Sequence, residues 1–296
     1  VRLGLRKALG TVLAVLLAFH AALFLLVGAF SLLYSFVNPP FTALMIYRRL
    51  VDGYASHPLR YVPLSRVPRY AQRMFINIED WTFYQNPGID LKAILEAYRI
   101  NRRLGHIYYG GSTITQQLAR TLFLTPQRTY LRKYAELWAA LEMDLLLGKR
   151  RVLELYVNYI ELGKGIYGIG AAAEYHFGRP AAHLGLDEYR RLVTIAASPL
   201  RYTMSNFARR RILEARYEYL LQAFPDPQTA PPPGSPPPLE IQSQAAQEPE
   251  GTTRQEGSSG QEPSPGSGGG VQAGVVVPEA QGGETLPEPL HQQANP

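Results

Sequence analysis

Residues 110–124 read GGSTITQQLARTLFL. A Gly-Gly turn opens onto Ser112, Thr113 and Thr115, hydroxyls of the kind that cap a helix, and the run continues through Gln116, Gln117 and Arg120. Leu118, Leu122, Phe123 and Leu124 give it an apolar flank. The stretch is a helix start whose polar end can hold an anionic or sugar ligand through backbone N–H groups, hydroxyls and amides. A plain capped amphipathic helix explains the spacing but not the two adjacent glutamines with three hydroxyls.

The helical reading extends in both directions. Upstream, Pro68 opens a predicted helix in RYAQRMFINIED, and Asp90 is the expected N-cap of LKAILEAYRINRRL, closed by Gly105. In the second of these, Leu91, Ile94, Leu95 and Tyr98 recur at helical spacing as an apolar face. Downstream, helices are expected over Tyr130–Leu147, stopped by Gly148, over Arg151–Tyr159 and over Ile169–His176. Two more are expected from an Asp187 cap through Ala197 and from a Ser205 cap through Ala223. No alternating run of strand length and no repeat occurs, so residues 61–224 read as one all-α domain.

The flanks differ in kind. Ala8 to Val37, thirty residues, carry no formal charge. As a helix they reach roughly 45 Å, more than the roughly 30 Å of bilayer hydrocarbon. The apolar region of a cleaved signal peptide is about 7–15 residues long, whereas this one runs on through Leu32, Leu33 and Phe36. Residues 8–37 therefore read as an uncleaved transmembrane anchor. Arg2, Arg6 and Lys7 hold residues 1–7 in the cytoplasm and place everything after Asn38 on the extracytoplasmic, periplasmic side of the cytoplasmic (inner) membrane, with Arg48 and Arg49 opposing that orientation. Residues 38–60, containing FTALMIYRRL, read as a membrane-interface segment, apolar then basic and too short to span.

Charge divides the chain the same way. Residues 225–296 hold 15 Pro, 11 Gly and nine acidic side chains against one basic one, a net of −8. This acidic Pro/Gly-rich tail lacks the apolar content to offset its ordering entropy and reads as disordered. The preceding 224 residues carry 29 Lys+Arg against 15 Asp+Glu, a net of +14. A basic domain invites a nucleic-acid reading, but its extracytoplasmic position and the lack of a nucleic-acid-binding motif argue for no nucleic acid partner. The absence of cysteine excludes a disulfide scaffold, a thiol nucleophile and a thiolate zinc site.

Few side chains in the domain can do chemistry. His57, His106, His176 and His183 show no metal-ligand spacing, so no metal-binding residue is expected. GHIYYGGS, residues 105–112, approaches a phosphate-binding loop but has Gly111 where that loop needs lysine, and Ser112 lacks the G-x-S-x-G setting of a nucleophile. Carboxylates remain. Glu79 and Asp80 lie in the apolar, aromatic run FINIEDWTFY, where desolvation would raise a carboxyl pKa into the range useful to a base or acid. An ordinary helix-end carboxylate fits the residues equally well. Glu136 follows Arg132 and Lys133 by four and three positions, a spacing that on its own favours a surface salt bridge.

Taken together these runs carry a resemblance. The order of motifs resembles glycosyltransferase family 51, the peptidoglycan glycosyltransferases, and among them the monofunctional biosynthetic transglycosylases. The family motif E-D-x-x-F-x-x-H-x-G appears as Glu79 through Gly88, with Asn86 in the histidine place. G-G-S-T-I-T-Q-Q-L-x-K-N-L appears as Gly110 through Leu122, with Arg120 for lysine and Thr121 for asparagine. R-K-x-x-E is Arg132 to Glu136, and R-I-L-E-x-Y-L-N is Arg151 to Asn158. GIYGIGAAAEYHFGRPAAHL and AASPLRY continue the likeness, which covers roughly Arg60 to Phe224.

The resemblance implies a lysozyme-like domain that polymerises lipid II into β-1,4-linked glycan strands with inversion, releasing undecaprenyl diphosphate, in bacterial cell-wall biogenesis and the maintenance of cell shape. It implies Glu79 as general base on the acceptor hydroxyl and Glu136 as the group assisting departure of the diphosphate, directly or through a divalent cation such as Mg or Mn. Arg120, Arg128, Arg132 and Lys133 are the implied diphosphate counter-charges, with Ser112, Thr113, Gln116 and Gln117 on sugar or phosphate oxygens. Asp80, Phe83 and Asn158 complete the implied substrate-binding set. Membrane lipids, the growing strand and a cell-wall synthesis complex are the implied partners. Asn86 removes an ionisable group but can still orient neighbours by hydrogen bonds, and Arg120 exchanges a point charge for a fork.

Other functions predict other observations. A lysozyme-like glycan-cleaving enzyme, a muramidase or lytic transglycosylase, would release fragments from sacculi without consuming lipid II. A class A penicillin-binding protein needs Ser-x-x-Lys and Lys-Thr-Gly, and neither occurs in the sequence. A non-enzymatic membrane-anchored scaffold would lose its function with residues 226–296.

Overall fold

Helix α1, Arg2–Tyr34, takes in nearly all of the uncharged N-terminal segment, and its Leu9–Tyr34 portion is long and apolar enough to cross a membrane. The computed structural model describes residues 2–104 and 110–226; the expected tail from residue 227 onward, the Gly105 stop and His106 lie outside the described residues. The two halves of α1 have different surroundings. Leu9, Leu13, Leu16 and Leu17 are exposed, while Val27 and Ser31 are buried. Phe30 and Tyr34 pack on Phe123, with ring centroids 6.4 and 6.3 Å apart. His20 Nε2 lies 2.6 Å from the Tyr134 hydroxyl. Helix α1 is thus fastened to the domain along its second half.

Eight further α-helices follow among the described residues. Helix α2, Ala43–Leu50, is capped by Thr42, whose Oγ1 accepts from the Met45 amide at 3.2 Å. Helices α3, Arg69–Glu79, and α4, Leu91–Leu104, begin where Pro68 and Asp90 indicated, and Asp90 Oδ1 accepts from the Ala93 amide at 2.9 Å. Helix α5, Ile114–Phe123, starts at a capping box: Thr113 Oγ1 accepts from the Gln116 amide at 3.1 Å and Gln116 Oε1 from the Thr113 amide at 2.9 Å. Helix α6, Tyr130–Tyr159, is broken at Gly148, whose φ of 71° is open mainly to glycine, so the predicted stop separates two helical halves. Helices α7, Gly168–Phe177, α8, Leu186–Ile195, and α9, Arg211–Ala223, complete the domain.

Helix α5 lies along α6 in the most extensive packing of the domain. Around this pair the core collects Met74 and Phe75 of α3, Leu118 of α5, Leu153 and Tyr156 of α6, Leu192 and Val193 of α8, and Leu213 and Leu220 of α9. Full burial of such a side chain contributes roughly 1.5–3 kcal/mol, and the α6 residues here lie on its second half, beyond Gly148. The first half adds Ala139, Ala140 and Met143 to the same core.

Four expectations are corrected. A two-strand antiparallel hairpin, β1 (Glu161–Gly163) with β2 (Ile166–Tyr167), is too short to show alternation in sequence. Helix α8 is capped at Gly185, with Asp187 inside its first turn, where a carboxylate favours the helix dipole. Ser205 caps nothing; a short 3₁₀ turn at Phe207–Arg209 precedes α9, because Phe207 is drawn into the core. In α4 the packed residues are Ala97 and Ile100, while Leu91, Leu95 and Tyr98 are 63%, 55% and 61% exposed. Helical spacing identified that stripe but could not say which way it faces.

Candidate active site

Glu79 is the last residue of α3 and stands in the wall of a cavity of about 400 Å³. Asp80, Trp81, Ser112, Thr113 and Arg216 line the same space. The Glu79 carboxylate is only 10% exposed and both its oxygens are engaged: Oε2 accepts from Gln117 Nε2 at 2.8 Å, and Oε1 accepts from the Arg216 guanidinium. The expected apolar surround is therefore incorrect, since an amide and a cation meet the carboxylate. Gln117 is held in turn by Tyr156, whose hydroxyl lies 3.4 Å from its Oε1. Complete burial, reinforced by the Glu79 charge, drives the Tyr156 hydroxyl pKa well upward, so this phenol stays protonated and donates.

Asp80 works on the framework. Its Oδ2 accepts from the Ile114 amide at 3.0 Å, pinning the start of α5 to the end of α3, and its Oδ1 accepts from Asn86 Nδ2 at 2.8 Å. Burial raises the Asp80 pKa, opposed by the Ile114 amide, Lys149, Thr82 and Asn86. Asn86, in the place of the family histidine, uses both ends of its amide. Besides Asp80, its Oδ1 accepts from the Gly88 amide at 3.0 Å and from Lys149 Nζ at 3.3 Å. Gly88 itself has a φ of 90°, and a β-carbon there would fall 2.6 Å from the Ala140 carbonyl oxygen, so the turn admits no side chain. The chain is equally close at Gly111, where a β-carbon would meet Ile94 Cα at 2.7 Å.

On the other side of Ser112 stands the second acid. Glu136 is completely buried, and its two oxygens take Arg132 and Lys133, the latter at 2.6 Å. Lys133 Nζ also donates to Ser112 Oγ at 2.9 Å, which joins this cluster to the cavity lining. The surface salt bridge suggested by spacing alone is in fact a buried one. A buried carboxylate with two cations leaves a net positive charge at the cavity edge.

The remaining expected site residues divide by exposure. Phe83 has no exposed surface, and Lys149 Nζ stands 4.8 Å from its ring centroid. Thr113 donates to the Gly88 carbonyl at 2.6 Å while capping α5. Asn158 is fully buried, its Oδ1 accepting from the Val62 amide at 2.7 Å and its Nδ2 donating to the Val62 carbonyl at 2.9 Å. These three brace the framework. Arg120 is partly exposed on α5, close enough for its charge to act on Tyr156, and Arg128 is exposed ahead of α6, apart from the cavity.

Three buried N–H donors have no partner among the described residues: Gln116 Nε2, Arg132 Nε and Arg216 Nε. All three belong to side chains in or beside the site, and all call for an acceptor-rich ligand. A resident divalent cation does not fit this donor set. The oxygens of Glu136 are already taken by Arg132 and Lys133, and no group of three His, Asp or Glu suited to a metal occurs among the described residues. Positive charge here comes from side chains.

Arg216 was not foreseen. It lies 137 positions from Glu79, and the clue was a cation in the apolar stripe between Leu213 and Leu220, the pattern of a buried ion pair.

The helical domain thus carries one acid, Glu79, in the wall of a cavity and a second, buried acid, Glu136, joined to its edge through Lys133 and Ser112. The family model for that domain, Transglycosylase, matches residues 48–224, and the chain belongs to this family, the peptidoglycan glycosyltransferases. A biosynthetic peptidoglycan transglycosylase of Burkholderia vietnamiensis is 41% identical over 174 residues, 56% of this chain and 70% of that one. One from Caulobacter vibrioides is 40% identical over 171 residues, 58% of this chain and 73% of that one.

Proposed function

We propose that this transglycosylase polymerises lipid II at the outer face of the cytoplasmic membrane, with α1 as a single-pass anchor and residues 1–7 in the cytoplasm. The observation that carries the reading is the pairing of a carboxylate held in a cavity wall, Glu79, with a net cationic cluster at the cavity edge, Arg132, Lys133 and Glu136. Glu79 accepts the proton of the acceptor's 4-hydroxyl as that oxygen bonds to the anomeric carbon of the growing strand. The bond from that carbon to the diphosphate oxygen breaks, its electron pair leaving with undecaprenyl diphosphate, and configuration inverts.

A diphosphate leaving group needs positive charge more than it needs a proton, which suits Lys133 and Arg132. Glu136 then acts by holding these two cations side by side. The unpartnered donors of Gln116 and Arg132 supply hydrogen bonds to sugar and phosphate oxygens. Separated carboxylates, one of them a base, agree with an inverting displacement.

The test is lipid II polymerisation by detergent-solubilised protein, wild type against Glu79→Gln, with purified sacculi as the alternative substrate. Polymer formation by wild type and its loss in the variant support the proposal. Fragment release from sacculi without lipid II consumption would overturn it, and a covalent adduct with labelled penicillin would contradict a monofunctional enzyme.

A further inference from the structure

We propose that Arg216 is a positioning residue for Glu79: carried on a helix fastened at the C-terminal end of the domain, it fixes the carboxylate in the cavity wall and keeps it ready to accept a proton. The proposal rests on Glu79 being the base.

Three observations support it. First, the contact is enclosed, with the Arg216 and Glu79 side chains 16% and 10% exposed, so solvent screens it little. Second, α9 is held firmly on α8. Arg190, 1% exposed, donates to the Phe224 carbonyl just past the end of α9 and pairs with Asp226 at 3.2 Å. Asp187 accepts from Tyr217, the neighbour of Arg216, and from Arg191 Nε at 2.7 Å. Arg216 therefore reaches Glu79 from a fixed base.

Third, folding alone does not call for an arginine here. An apolar side chain would complete the stripe from Leu213 to Leu220, whereas the arginine brings a buried charge and an Nε–H without a partner. Buried ion pairs are often no more stabilising than apolar replacements of similar volume. The arginine earns its place through what it does to Glu79. With Gln117 on the other oxygen, it leaves the carboxylate little rotational freedom.

Other charged or titratable groups stand near Glu79. Asp80 adjoins it with its oxygens committed to Ile114, Asn86 and Thr82; Tyr156 of α6 is a protonated phenol; Arg120 of α5 and Tyr219 of α9 stand nearby. Among the described residues only Arg216 makes an ion pair with the carboxylate.

The experiment compares kcat and KM for full-length wild type, Arg216→Lys and Arg216→Met on lipid II in detergent micelles, with thermal melting to confirm the fold. For Arg216→Met we expect a kcat lowered roughly 10–100-fold and a KM within about threefold of wild type. Arg216→Lys, which keeps a cation, should recover part of the loss. A folded Arg216→Met enzyme with the kcat of wild type overturns the proposal, as does a loss confined to KM. Glu79→Gln measured alongside separates the two layers: if it keeps its turnover, the assignment of the base fails first, and if it is inactive while Arg216→Met keeps the wild-type kcat, only the role of Arg216 fails.

Discussion

The two acids of the site are both held by cations, Glu136 fully buried and Glu79 nearly so, yet they are built differently. Glu136 draws Arg132 and Lys133 from its own helix, four and three positions away. Glu79 draws Gln117 from α5 and Arg216 from α9, 38 and 137 positions away. A cluster assembled within one turn forms with its helix and needs nothing else. One assembled across three helices exists only when the whole domain has closed, so Glu79 is more exposed to damage from remote substitutions than the cationic cluster is.

The sharpest way to break this comparison is to neutralise each acid in turn. Glu79→Gln should lower lipid II turnover by about 10³-fold or more in a protein that melts near the wild-type temperature, since it removes the proposed proton acceptor. Glu136→Gln should cost less, roughly 10–100-fold, because Arg132 and Lys133 persist without their counter-ion. Equal losses, or the reverse order, would refute the assignment of roles. Next in size, Lys133→Met should lower kcat roughly 10²-fold, since the lysine bridges Ser112 and Glu136 at the cavity edge.

A substitution outside both clusters separates framework from chemistry. Asn158→Ala removes the partner of the part-buried Val62 amide and carbonyl and should destabilise the fold by about 1–3 kcal/mol, read as a lower Tm, with activity per folded molecule little changed. A large loss of kcat in folded Asn158→Ala would return this residue to the substrate-binding set.

The smallest effect concerns pH. Burial would raise the Glu154 carboxyl, but the Tyr61 hydroxyl at 2.5 Å, the Leu64 amide at 2.9 Å and Arg151 outweigh it and hold the pKa below its ordinary value. Its contribution is complete above the unfolded pKa of about 4.3 and is lost as pH falls through the lower folded value. Melting curves between neutral pH and about pH 3 should therefore converge for wild type and Glu154→Gln at the acid end. Parallel curves would show that Glu154 does not contribute in this way.

The same contrast explains what the sequence could reveal. Helix starts at Pro68, Asp90 and Thr113 and the stop at Gly148 are local, and they were legible because capping chemistry acts within a few residues. The grouping of Arg132, Lys133 and Glu136 was legible for the same reason. Motif order located Asp80, Phe83, Thr113 and Asn158, but it could not tell a ligand contact from a brace, because burial is decided by packing between distant segments. The outward face of α4 and the reach of Arg216 to Glu79 were hidden on the same account.

One further consequence follows from the packing of α1 on α6. The apolar portion of α1, 26 residues, is about 39 Å long, more than the roughly 30 Å of hydrocarbon it would cross. A spanning helix of that length tilts to match the bilayer. Because His20, Val27 and Tyr34 are fastened to the domain, the tilt of a membrane-spanning α1 would be passed on to the helix that carries Lys133 and Glu136. Bilayer thickness would then act as a mechanical input to the site. On that reading turnover in vesicles of graded acyl-chain length should pass through an optimum, and a flat response would contradict it.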